Sequence, residues 1–564
     1  MQFRWKTCTA FILWIAVAGF APAFAASQPP GVARVSVIQH GSLIITRGDE
    51  KKTQTVAVVN APVFAGDFLS TTDADARVEI QLDGYTVLRL GGPVQVRLVS
   101  NDAGSHQVDV AEGLVEVSVL HKDGQPIDVV TPPVSVRLDR TGDYRISVAS
   151  DGTTSITPRR GQAEIETPHK SFTADTRQTL IAKGQASDPS IQFADEIARD
   201  TFDDFNTDRD RALFAALNGD TYVPPNIAGY DNLNQYGRWA NVAPYGESWI
   251  PNQGSDWVPY RDGTWVWGGA YGWTWVADEP WGWLPYHYGS WFYADGYGWC
   301  WYPPSISVVP VWVPAFVTFF DYGWSPFGYS NFGWYPVGPY ENFYPWYPWY
   351  WGWYNPWPRP VSVVPLPTPP PPRHHHDPIH FHPGASTIDA RRWRDGQPVR
   401  PTALDPKFAG SIKVQRGALP MEPTEATRKY SPIVVMRPVR LSTVFDSPRF
   451  AGTQTLAQIP KPPAVRDTAL SKSWDHFYQA RGSMVTPAEI RELAPMTRET
   501  IESAMREPYP VLHTNPVEHT PSSPIEHTPI DRTPSSGGHV SGPPATHGGD
   551  THGGDTHGST RPPV

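Results

Sequence analysis

Between residues 237 and 301 the pattern G-x-W-x5-Y-G-x-x-W occurs three times at a fixed spacing of 26 residues. The copies are Gly237, Trp239, Tyr245, Gly246, Trp249; then Gly263, Trp265, Tyr271, Gly272, Trp275; then Gly289, Trp291, Tyr297, Gly298, Trp301. The last two follow W-x-P-Y-x-x-G, as Trp257-Val258-Pro259-Tyr260 and Trp283-Leu284-Pro285-Tyr286. So short a unit cannot bury an apolar face alone, and the copies must pack together. Within one copy, Trp265 and Trp267, then Trp273 and Trp275, alternate along two strands around the Gly-rich turn 268–272. The expected hairpin opposes Trp265 to Trp275 and Trp267 to Trp273. The same register sets Trp239 against Trp249 and Trp291 against Trp301, each aromatic pair adding about 0.2–1 kcal/mol. Tyr245, Tyr271 and Tyr297 then fall in the turns, each before a glycine free to take positive φ.

Aromatic residues make up 44 of the 127 residues from Asp231 to Trp357, against 11 charged ones and no Lys. These rings have two readings. They are a core replacing Leu, Ile and Val, or some form an exposed face for sugars or Pro-rich chains. For the second, the candidate binding residues are Trp239, Trp249, Trp265, Trp267, Trp273, Trp275, Trp291, Trp299 and Trp301. Beyond the third copy, Gly323-Trp324-Ser325-Pro326 and Gly333-Trp334-Tyr335-Pro336 form a related pair.

The expected class is mainly β. From Gly31 to about 190, apolar residues alternate with polar ones: Val94, Val96, Leu98; Val115, Val117, Val119; Tyr144, Ile146, Val148. Asp83-Gly84, Gly91-Gly92, Asp123-Gly124 and Asp151-Gly152 read as turns, which predicts an all-β domain of sandwich or solenoid type. Residues 191–220 read as a connecting helix, with Phe202, Phe205, Arg209 and Leu213 sharing a side. Its Asp204-x-Asn206-x-Asp208 is not a calcium loop, because Arg209 stands where Gly must turn and Ala215 where Glu must close the shell. The aromatic module spans 221–357. Residues 358–564 read as a largely disordered Pro/His/Gly-rich tail with a short helix at 486–507.

The first domain resembles the FecR-like periplasmic domain of bacteria. The resemblance is carried by Gly66-Asp67-Phe68-Leu69-Ser70-Thr71, by Ala76 to Gly84, by Gly113-Leu114-Val115-Glu116-Val117, by Thr131-Pro132 and by Gly142 to Ile146. It implies a β domain outside the inner membrane. In that family such a domain relays receptor state to a sigma factor, but the anti-sigma segment and spanning helix of those regulators are not recognised here. With Tyr222-Val223-Pro224-Pro225, the helical Asp200 to Arg211 region and the aromatic repeats, residues 31–345 are similar to a family of exported bacterial proteins of unknown function.

Residues 1–25 read as a signal peptide. Arg4 and Lys6 precede the apolar stretch Phe11 to Phe20, and Ala23-Phe24-Ala25 fits cleavage before Ala26. The chain is expected in the periplasm or secreted, without a transmembrane segment once cleaved. Its 46 Lys+Arg against 56 Asp+Glu argue against nucleic acid. The partner is an unidentified envelope protein or glycan. No cofactor is expected. His374, His375, His376, His380 and His382 are weak metal candidates in a solvated tract. No catalytic constellation is found. Asp278-Glu279 reads as a pair of loop carboxylates facing water, and Cys300 as a small apolar filler across from Phe292. The leading expectation is a non-enzymatic envelope protein that binds or scaffolds through its aromatic repeats. The alternative is a periplasmic sensor in a FecR-type pathway, and a glycan-active enzyme comes third, since it needs two carboxylates about 5–10 Å apart across a cleft.

Overall fold

The computed structural model describes residues 31–49, 52–102, 104–219, 222–304, 312–322, 331–339, 341–346, 361–362 and, with short breaks, 384–451. The signal peptide, the His tract and the helix expected at 486–507 lie outside these residues, as does Gly323-Trp324-Ser325-Pro326. The described chain is mainly β.

Sixteen strands form one continuous hydrogen-bonded sheet in residues 33–195. They are β1 (Ala33–Gln39), β2 (Ile44–Thr46), β3 (Gln54–Val56), β4 (Pro62–Val63), β5 (Phe68–Thr71), β6 (Arg77–Gln81), β7 (Thr86–Asp102) and β8 (Ser105–Val119). Then come β9 (Ile127–Val130), β10 (Ser135–Leu138), β11 (Gly142–Val148), β12 (Thr154–Arg160), β13 (Gln162–Glu166), β14 (Ser171–Asp175), β15 (Gln178–Lys183) and β16 (Ser190–Asp195). The long β7–β8 hairpin organises them. The first part of β7 pairs with β6 and its later part with β5, while β8 pairs with β9 near one end and β11 near the other. Gly91-Gly92, expected as a turn, is instead a bend within β7, where the register shifts between Gly91 and Gln95. Gly92 takes φ +72°, and Gly113 on β8 takes φ +99° where an added Cβ would meet the Pro93 carbonyl oxygen at 2.4 Å. The pattern Gly-Gly therefore marks a kink that lets one hairpin serve two groups of strands. Val96, Leu98, Val115, Val117, Tyr144 and Ile146 meet in one core, as their alternation requires.

The segment expected as a helix from 191 starts as strand: β16 pairs with β15 from Ser190 to Asp195. Helix α1 (Thr201–Leu217) follows, started by a capping box in which Asp200 and Asp203 each accept from the other's backbone N–H. The helix does not connect through solvent. The outward row Glu79, Arg89, Glu116, Arg145 crosses β6, β7, β8 and β11 with alternating sign, and α1 lies over it. Arg89 bonds Glu79 at 3.0 Å and Asp210 at 2.7 Å, Arg209 reaches Glu79 at 2.8 Å, and Arg145 reaches Asp203 at 2.8 Å. Burial works to raise the Glu79 carboxyl, but Arg89 and Arg209 overcome it and hold the group at about 2. Asp204, Asn206 and Asp208 are alternate positions of this helix and do not form a loop around one point.

The aromatic module follows the short turn α2 (Leu233–Tyr236). Its hairpins are β17–β18 (Gly237–Val242, Gly246–Pro251), β19–β20 (Gly263–Trp267, Trp273–Ala277) and β21–β22 (Ser290–Ala294, Gly298–Tyr302), with helix α3 (Trp283–His287) before the third. The first and third join through β18 and β22 into a four-stranded sheet in the order β17-β18-β22-β21. A second sheet is built on β23 (Val317–Tyr322) and β24 (Asn331–Pro336), and a two-stranded one on β25 (Asn342–Phe343) and β26 (Val361–Ser362). The ordered chain continues past 357. Strands β27 (Ser386–Ile388), β28 (Thr402–Ala403) and β29 (Lys413–Val414) extend the β23–β24 sheet, and Trp393 and Met421 enter its core. Residues 424–431 and 438–451 then lie against the first domain, with Tyr430 buried in that domain's core. The expected tail boundary at 358 therefore moves, because these apolar residues have faces of both domains to cover.

Candidate functional site in the aromatic module

All the expected Trp pairs are register partners: Trp239 with Trp249, Trp265 with Trp275, Trp267 with Trp273 and Trp291 with Trp301. Gly246, Gly272 and Gly298 after the turn tyrosines take φ of +89°, +69° and +81°. The five-residue turn occurs only in the second hairpin. In the first and third, the ladder gains one more pair, Val242 with Gly246 and Ala294 with Gly298. Trp249 also pairs with Trp301, so Trp239, Trp249, Trp301 and Trp291 form one row across four strands.

The central hairpin separates two cores. Val266 and Val276 enter the core of the first domain, while Trp265, Trp273 and Trp275 enter the aromatic core from its other face. Strict alternation makes this possible: one face is aliphatic and the other is Trp. Trp265 meets Trp275 at 5.3 Å and Trp334 at 5.4 Å, both edge-on. Several indole N–H groups donate to backbone carbonyls: Trp249 to Leu233 at 3.0 Å, Trp291 to Pro285 at 2.8 Å, Trp301 to Tyr288 at 2.8 Å and Trp334 to Tyr260 at 2.9 Å.

This geometry corrects the candidate binding face. Trp249, Trp265, Trp273, Trp275, Trp291, Trp299 and Trp301 are buried, and Trp239 and Trp267 are half-buried. The rings are covered by α3 from within the repeats, and by two groups distant in sequence, the β23–β24 sheet and Ile388, Trp393, Leu419 and Met421. The more exposed rings are others: Tyr293, Tyr297 and Tyr222. Tyr293 lies 5.8 Å from Trp299, and the Arg238 guanidinium sits 6.0 Å from the Tyr297 ring.

Asp278 is exposed, as expected, but three chemistry-bearing groups of the module are interior. Glu279 is only 8% exposed, not facing water. One carboxylate oxygen accepts from the Tyr286 hydroxyl at 2.8 Å and the Trp257 indole at 3.1 Å, and the other has no hydrogen-bond partner. Burial pushes its carboxyl up to about 7, with the two hydrogen bonds opposing and Asp262 adding to the rise. A Glu-Pro-Trp sequence inside a segment one-third aromatic was the available signal. His287 stacks on Trp312 and pairs Nδ1 with the Val313 carbonyl at 2.8 Å; burial lowers it to about 3, so it is neutral. Cys300 lies opposite Phe292 and is fully buried, which pushes its thiol up to about 11. Among the described residues no group of three or more His, Cys, Asp or Glu is arranged for a metal ion. A shallow surface recess lined by Gln81, Asp83, Leu213, Tyr230 and Asp231 lies outside the Trp repeats and encloses no room even for a water molecule, so it is not a ligand pocket.

The model of a family of unknown function, DUF6600, matches residues 230–341, which is the aromatic module. A comparison with curated proteins finds no match. Two crystal structures of a candidate anti-sigma factor from Parabacteroides distasonis are similar to 23% of this chain, at 19% and 18% identity, with TM-scores of 0.20 and 0.21. The chain spans 60% of the length of those structures.

Proposed function

We propose that the chain is a non-enzymatic, exported scaffold of the bacterial envelope, in which the aromatic module is a structural block rather than a ligand face. The observation that carries this reading is the burial of Trp249, Trp291 and Trp301 in the Trp row, whose indole N–H groups are already bonded to the backbone. Supporting it, Glu279, His287 and Cys300 are each enclosed. Among the described residues no helix is long and apolar enough to cross a membrane. The test is made on protein purified from its native host. The N-terminus should be Ala26, and replacing Trp291 with Ala should unfold the module without selectively removing binding on a glycan and peptidoglycan array. An N-terminus at Met1, or glycan binding lost from a folded Trp291→Ala chain, refutes it.

The second reading, a sensor in a FecR-type pathway, is favoured by where the resembling segments lie. Gly66 to Thr71, Ala76 to Gly84, Gly113 to Val117 and Gly142 to Ile146 overlap β5, β6, β8 and β11 of one sheet, in which β5, β6 and β8 each pair with β7 and β11 pairs with β8. Deleting the gene should then change transcription from a sigma-factor-dependent promoter; unchanged transcription removes this reading.

A further inference from the structure

Residues 439–450 lie on the first domain in an unusual way. They add no strand to its sheet; their main chain is held by side chains. Gln54 on β3 donates to the Val439 carbonyl at 2.7 Å and accepts from the Val439 N–H at 3.0 Å. Gln95 on β7 accepts from the Ser442 N–H at 2.8 Å and donates to the Arg440 carbonyl at 3.2 Å. A primary amide that both donates to and accepts from a backbone reads the main chain whatever its side chains are. Sequence is read at two anchors. Phe445, in the turn Thr443–Asp446, is buried against Phe68 at 5.0 Å and beside Ala111. Phe450 is fully buried, and its carbonyl accepts from Arg97 at 2.7 Å. Between them Arg449 donates to the Thr131 carbonyl at 3.2 Å and the Ser135 hydroxyl at 2.7 Å.

We propose that this face of the first domain is a peptide-binding groove, filled in cis by residues 439–450, and that its partner is the same segment of a second copy of this chain. Two amide clamps on the irregular stretch 439–442, a socket of Phe68 and Ala111 for Phe445 in its turn, and the buried Phe450 on the helical turn Pro448–Ala451 are the parts of a receptor for a short peptide, and the socket is separate from the domain's own core. The complementarity on view is to this chain's own sequence, Val439-Arg440-Leu441-Ser442 followed by Phe445 and Arg449-Phe450, and that favours a second copy as donor.

The test uses the full chain. A Phe445→Ala, Phe450→Ala chain has an open groove, and a Gln54→Ala, Gln95→Ala chain has an intact segment over a weakened groove. A fluorescent peptide of residues 437–451 should bind the open-groove chain and not the wild type. Adding Gln54→Ala to the open-groove chain should weaken binding about tenfold, since two hydrogen bonds are lost. Mixing the two double variants should give a complex in light scattering that neither forms alone. Absence of peptide binding by an open-groove chain whose near-UV dichroism is native overturns the proposal, as does equal binding of a scrambled peptide. Peptide binding without a complex on mixing overturns the second copy as partner. Should the open-groove chain fail to fold, a protease site inserted after Ser431 serves instead. The cut fragment should stay bound and be displaced by excess peptide, and a fragment that cannot be displaced refutes the groove.

Discussion

Replacing Glu279 with Gln should make the chain's stability less sensitive to pH, by an amount the structure sets. The carboxyl is raised from 4.5 to about 7 because it is buried, and among the described residues no cation pairs with it. A carboxyl whose folded value is raised contributes stability that is complete below about 4.5 and is lost as pH climbs towards 7. A rise of about 2.5 units corresponds to about 3 kcal/mol. Gln keeps the oxygen that accepts from Tyr286 and Trp257. It also places an N–H₂ where the second oxygen has no partner, which costs about 1–3 kcal/mol at every pH. The variant should therefore be less stable than wild type at pH 4.5 and equal or more stable at pH 8. Urea unfolding followed by Trp fluorescence, at half-unit steps of pH, measures the difference. Other carboxyls, such as Glu116, pushed up to about 8 by burial, tilt both curves alike and cancel in the subtraction. A difference that stays flat from pH 4.5 to 8 would refute the claim that Glu279 is a buried, unpaired acid.

The other predictions concern packing. Trp301→Ala, which removes a ring from the middle of the four-strand row and frees the Tyr288 carbonyl, should cost about 3–5 kcal/mol in the same urea assay. Gly298→Ala and Gly246→Ala meet no atom within 4 Å but must hold φ of +81° and +89°, so each should cost about 1 kcal/mol from backbone strain alone. Gly113→Ala should cost more, since its Cβ also collides with the Pro93 carbonyl and Val94. Arg89→Met leaves Glu79 and Asp210 without that partner beneath α1 and should cost about 3–5 kcal/mol. Hydrogen exchange should show protection lost first in residues 201–217.

The local pairing was legible because it is arithmetic. A 26-residue period, alternating Trp and a Gly-bearing turn leave one register that places Trp265 opposite Trp275. The period also marked where Gly246, Gly272 and Gly298 must take positive φ. What failed were inferences from one residue pair without its neighbours. Gly91-Gly92 carries the same signal in a turn and in a strand that bends, and only the continuous pairing of β7 with β8 separates the two. Glu79 and Arg89 fall on the polar side of their strands, which alternation assigns to water. That side is instead covered by α1, whose Arg209 and Asp210 supply the opposite charges. Asp203, Asn206 and Asp210 were available as a signal: polar residues one helical turn apart beside Phe202 and Leu213 mark a face that docks on charge as well as on apolar surface.

The ligand question turned on information that no single repeat holds. A Trp row that binds sugar and one that forms a core need the same alternation and the same turns, so the repeat cannot choose between them. The choice is made by what lies over the row. Over the Trp face of the central hairpin that is Phe319 and Trp334 from the β23–β24 sheet and Trp393 from beyond residue 384, with Trp265 in contact with all three. Trp393 stands outside the repeats, in a stretch whose Pro and His content reads as solvated tail, and its burial depends on β27 pairing with β24 more than 50 residues upstream. A Trp393→Ala chain separates the readings. If the residues beyond 384 are the cover that makes the central hairpin's Trp face a core, the truncation should lower stability by about 3–5 kcal/mol and expose the Trp265 face to an added hydrophobic dye. A stable chain with no new dye binding would mean that the row is closed from elsewhere.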